Sequence, residues 1–92
     1  MVFRTLQDLF AGKDGEQRWL RDGAERGRFT LCQAIRFVYG EHREEKIFSK
    51  LYTAIAKAHC ARGLSRGCYY RFDNDPRTTI EDIRAIVKEA NV

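Results

Sequence analysis

Hydrophobic and polar positions separate most cleanly between Glu41 and Arg62, EHREEKIFSKLYTAIAKAHCAR, the longest stretch with a helical repeat. Projected at roughly 100° per residue, Ile47, Phe48, Leu51, Ile55, Ala58 and His59 fall on one arc, and Arg43, Lys46, Lys50 and Lys57 fall on another. The spacing predicts one helix over 41–62, its first arc in a core and its second in solvent. Glu41, Glu44 and Glu45 stand in its first turns and Lys57 and Arg62 toward its end, as the helix dipole favours. The dipole does not account for Arg43, Lys46 and Lys50 in the first half. A solvated face explains any one of them, but a stripe of one sign presents a field that an anionic partner can use.

Shorter patterns flank this stretch. Val2, Phe3, Leu6, Leu9 and Phe10 follow helical spacing, and Gly12 can close a helix in a left-handed conformation, so a helix is expected over roughly 2–11. A shorter helix capped by Thr5, with Asp8 three residues on, is the alternative. Residues 12–28, GKDGEQRWLRDGAERGR, hold four of the seven glycines and little periodicity. They read as a solvated mixed-charge connection pinned by Trp19 and Leu20, with one helical turn over Glu16–Arg21.

Thr30 with Gln33 forms a capping-box signature and Phe29 can staple onto Ala34, so a helix is expected from there to about Tyr39, stopped by Gly40. Leu31, Ala34, Ile35 and Val38 would face the core and Arg36 solvent. After Gly63, the run Leu64–Phe72 interleaves arginine, glycine and aromatic residues. It reads either as a loop that contacts phosphates and stacks bases, or as Tyr69 and Phe72 packed inward with Tyr70 at the surface. A turn is expected at residues 73–76, then a helix over about 79–90 capped by Thr78 and Glu81. Ile80, Ile83, Ile86, Val87 and Ala90 would be buried there, with Arg84 and Lys88 one turn apart outside. The fold class expected is all-α: one domain over 1–92, four helices, a long Gly-rich connection between the first two, and room for a minor two-stranded ribbon near 26–29 and 68–72.

Composition narrows the function classes. Ninety-two residues with a net charge of +4 make a small basic domain whose modest core leaves partner-dependent stability open. Three cysteines, Cys32, Cys60 and Cys68, with no charged-then-apolar leader before them, point to a reducing, cytoplasmic setting. No apolar run approaches the roughly 20 residues that cross a bilayer, so no membrane partner is expected. Cys32, at a helix start among apolar neighbours, reads as a buried structural thiol.

Sites of chemistry are sparse. His42, His59, Cys60 and Cys68 lack zinc-site spacing, and the acids at 73, 75, 81 and 82 miss the EF-hand spacing and suit a turn and a helix cap. No nucleophile elbow, P-loop or dinucleotide fingerprint is present. No catalytic residue, metal or cofactor is expected, and the chain reads as a non-enzymatic binding module. Its expected partner is nucleic acid or a ribonucleoprotein, met through Arg43, Lys46, Lys50, Lys57, Arg62, Arg66, Tyr69, Tyr70 and Arg71. The alternative is an adaptor or inhibitor whose basic face meets an acidic protein surface.

Two stretches resemble a known family. WLRDGAERGRFTLCQAI resembles the W-x-x-G-A … [FW]-C-x-x-G-A-[LI] segment of a small bacterial and phage domain family of unknown function, and FDNDPRTTIEDIRAIVKEA is similar to its closing W-N-D-x-P-x-R-T-x-x-E-V-L-x-x-L-x-x-A. Trp19, Gly23, Ala24, Phe29, Ala34 and Ile35 match the first part, and Pro76, Arg77, Thr78, Glu81 and Ile83 the second. Thr30 or Leu31 stands in place of the family's Cys, and Phe72 in place of its closing Trp. The resemblance implies an intracellular helical domain without an assigned activity. In build, though not by motif, the chain is also similar to phage-encoded inhibitors of host machines, anti-CRISPR proteins among them.

Overall fold

Thr5 decides where the chain first becomes helical. Its backbone is extended and its hydroxyl accepts from the Asp8 amide at 3.1 Å, so α1 runs only Leu6–Leu9. The shorter, capped alternative is the one that forms, and Phe3 packs against the core from outside the helix. The computed structural model describes residues 3–63 and 69–92, with the side chains of residues 69–71 outside the description.

The expected long connection is partly helical. Gly12, at a φ of +68°, turns the chain straight into α2, Gly12–Arg18. Gly15 in that helix is buried, and a Cβ there would overlap the Phe10 carbonyl. This glycine therefore marks a close helix–backbone approach, not a loop. Trp19 is extended, not part of the helical turn expected over Glu16–Arg21. It forms an isolated parallel bridge with Phe29, in which the Leu20 amide donates to the Phe29 carbonyl at 2.9 Å and the Phe29 amide to the Arg18 carbonyl. The ribbon expected between 26–29 and 68–72 does not form: residues 69–72 are helical, and the 29 region pairs with 19 instead.

α3, Leu31–Tyr39, begins at the expected Thr30–Gln33 capping box and ends at Gly40, φ +79°. Leu31, Ala34 and Ile35 are buried and Val38 is half-buried. The expected 41–62 helix is a 3-10 turn, Glu41–Arg43, running into α4, Glu44–Ala61. Ile47, Leu51, Ile55 and His59 are buried along its inner face, joined by Ala54, while Phe48 and Ala58 are half-buried. α5, Tyr69–Asn74, replaces the expected loop or strand and places Asp73 and Asn74 in a helix. The capping box of α6, Ile80–Ala90, is Thr79 with Asp82, one residue later than Thr78 with Glu81. The shift frees Thr78 to be fully buried and to accept a hydrogen bond from Arg62 at 2.8 Å.

The chain is all-α, with six α-helices and no strand among the described residues, in place of the four helices expected. The core joins Leu6, Leu9 and Phe10 to Leu31 and Ile35, to Ile47, Leu51 and Ile55, and to Ile83, Ile86 and Val87. α4 and α6 pack side by side. Lys57 reaches Glu89 while Arg62 reaches Asp82, so the two helices run antiparallel. No helix among the described residues is long and apolar enough to cross a membrane.

Candidate nucleic-acid interface

Short helices leave many carbonyl groups without intrahelical partners, and this chain answers them with arginine. Arg18 donates to the Leu9 carbonyl at 3.1 Å and Arg84 to the carbonyls of Phe10 and Gly12, closing the end of α1. Arg28 donates to the carbonyls of Gln17 and Trp19, closing α2. Arg21 stacks over Trp19 and donates to the carbonyls of Asp75 and Thr78. Part of the positive charge thus serves the fold itself.

Arg62 belongs to the same group. Its side chain is only 15% exposed, donates to Asp75 at 3.0 Å, Thr78 at 2.8 Å and Asp82 at 3.1 Å, and lies 5.0 Å over the Phe72 ring. Read from sequence as part of the docking stripe, it is instead a clamp between the end of α4, the 75–79 turn and the start of α6. The clamp also explains why that turn is well formed: Arg77 closes back onto the carboxyl of Asp75, holding it well below the usual carboxylate range. Lys57, exposed on α4, forms an ion pair with Glu89 at 2.8 Å that raises its pKa.

Arg43, Lys46 and Lys50 remain. All three are exposed, Arg43 in the 3-10 turn with its guanidinium 5.8 Å from the Tyr39 ring, and Lys46 and Lys50 one helical turn apart on α4. Among the described residues no carboxylate lies within ion-pair distance of these three. A shallow depression of about 480 Å³ is lined by His42, Arg43, Glu45, Lys46 and Ser49. The backbone of Tyr69, Tyr70 and Arg71 is helical, while their side chains, and Arg66 as a whole, lie outside the described residues.

Cys32 is half-buried, not sequestered as expected: Leu31 and Ala34 take the core-facing positions, and the thiol lies 3.9 Å from a Glu44 carboxylate oxygen at the edge of α3. Arg36 donates to the other oxygen of that carboxylate at 3.1 Å, which raises the Arg36 pKa. Among the described residues no His, Cys, Asp and Glu side chains gather into a group able to hold a metal ion.

Sequence reasoning missed Asp73. Taken as a turn residue, it is buried, with one oxygen 2.9 Å from the Trp19 indole nitrogen and the other 2.8 Å from the first amide of α3, at Leu31. Burial outweighs the pull of these two donors and pushes its pKa up to about 7. No signal near Asp73 in the chain could have revealed partners 42 and 54 residues away.

Comparison of the chain with models of protein families, with curated proteins and with solved structures finds no match. The likeness of residues 19–35 and 72–90 to the bacterial and phage family rests on those motifs alone.

Proposed function

We propose that the chain is a non-catalytic module that docks onto nucleic acid, bare or within a ribonucleoprotein, through the edge of α4 that carries Arg43, Lys46 and Lys50. The observation that supports this is a contrast in how cations are used. Arg18, Arg21, Arg28, Arg62 and Arg84 hold the fold together, whereas Lys46 and Lys50 stand one turn apart in solvent with no carboxylate in reach among the described residues. Lysines of this kind suit phosphate as point charges and need no fixed geometry. Lys57 can join them only by leaving Glu89. A phage-type inhibitor that occupies the nucleic-acid path of a host machine, a CRISPR complex for example, would use the same edge.

Fluorescence anisotropy with a labelled 20-mer, single-stranded and duplex, tests the reading. Three phosphate contacts would make affinity fall by about 40-fold for the duplex and about 20-fold for the single strand between 50 and 200 mM salt. Lys46→Glu with Lys50→Glu should remove binding. Binding that persists unchanged in that variant would overturn the proposal.

A second reading has the same exposed cations, Arg43, Lys46 and Lys50, meet the carboxylates of an acidic protein surface, which point charges without fixed geometry suit as well as phosphate. Competition separates the two: displacement by polyglutamate, with no response to oligonucleotide, selects the protein partner.

A further inference from the structure

Next to the cationic edge, α4 carries different chemistry. Glu41, Glu44, Glu45, Phe48, Ser49 and Tyr52 line an open groove of about 700 Å³. Tyr52 is 60% exposed, although most large apolar side chains of the described chain are buried or half-buried. The helix dipole accounts for acids in the first turn of α4, but not for an aromatic ring held in solvent two turns further on.

Among the described residues no cation lines the groove. Arg36 is engaged with Glu44 at 3.1 Å, Arg43 leans over the Tyr39 ring, and Lys46 lines the adjoining depression, which shares Glu45 and Ser49 with the groove. In a chain of net charge +4, this leaves an apolar groove whose rim is acidic.

We infer that this groove binds a basic peptide segment of a partner protein, one in which an aromatic or aliphatic side chain is flanked by arginine or lysine. The apolar side chain rests between Phe48 and Tyr52, and the flanking cations meet Glu41 and Glu45. An arginine can also stack on the exposed Tyr52 ring. Glu44 is already shared with Arg36 and contributes less. The groove shares Glu45 and Ser49 with the depression beside Lys46, so a bound peptide lies next to the nucleic-acid edge.

Selection of a phage-displayed random 12-mer peptide library on the immobilised full chain tests the inference. Selection on Tyr52→Ser, Glu45→Lys protein runs in parallel. The expected result is enrichment, on the parent only, of peptides with Arg or Lys around Trp, Phe or Leu. The most enriched peptide, made synthetically, should bind the parent at least 10-fold more tightly than either Tyr52→Ser or Glu45→Lys alone. The same peptide with its cations changed to glutamate should not bind the parent, a control that depends on no variant. Equal enrichment on parent and variant, or enrichment of acidic or uncharged peptides, would overturn the inference. So would a concentration-dependent dimer in sedimentation velocity that Tyr52→Ser abolishes, because the occupant would then be a second copy of this chain.

Discussion

The indole nitrogen of Trp19 donates to a carboxylate oxygen of Asp73 at 2.9 Å, across 54 residues of chain, while the second oxygen receives the first amide of α3. One buried carboxyl thereby joins the end of α2, the start of α3 and α5.

This joint should make stability depend on pH. Burial raises the Asp73 pKa to about 7 in the folded chain, above the unfolded value of roughly 3.9. The folded state therefore binds the proton more tightly. Its contribution is fully present below about pH 4 and is lost as pH rises through 7. Between pH 5.5 and 8 the unfolding free energy should fall by about 2 kcal/mol from this group. Urea titrations at pH 5.5, 6.5 and 8 measure it, and Asp73→Asn should flatten that part of the profile.

Gly15→Ala should destabilise the chain, although alanine in an exposed helix normally gains about 1 kcal/mol over glycine. The added methyl would overlap the Phe10 carbonyl and force α1 and α2 apart, at a cost of about 1–3 kcal/mol. Thermal melts of the variant against the parent decide the sign. A variant that melts higher would remove the close approach.

Arg62 and Lys50 should part company under mutation. Arg62→Ala removes the hydrogen bonds to Asp75, Thr78 and Asp82, while Asp75 keeps Arg77, and should cost about 1–3 kcal/mol. Lys46→Glu with Lys50→Glu should change stability by no more than about 0.5 kcal/mol each while removing oligonucleotide binding. Circular dichroism melts beside the anisotropy assay read both effects. Loss of binding without loss of stability in the Arg62 variant would return that residue to the docking stripe.

Leu51→Ala should cost about 2–5 kcal/mol, because the side chain is fully buried where α4 joins the core and its removal opens a cavity. In so small a domain this approaches the whole stability. A chemical denaturation midpoint little changed from the parent would place the leucine outside the core.

What the sequence determined by itself was set within a few residues of each position. The Thr30–Gln33 box, the stops at Gly40 and Gly63 and the buried stripes of α4 and α6 all rest on contacts between near neighbours in the chain, and local periodicity and capping report these directly. The all-α class follows from them. Tertiary structure alone decided the rest. Gly15 looked like a loop glycine because the Phe10 carbonyl that requires it is brought there by a turn. Thr79 displaced Thr78 as the cap of α6 because Thr78 is needed inside, under Arg62. Lys57 and Arg62 shared a stretch with Lys46 and Lys50, but only the antiparallel placement of α6 supplied the carboxylates of Glu89 and Asp82 that pair with them. Helical periodicity states which way a side chain points. It carries no information about which charge from 20 or 32 residues away will be waiting there.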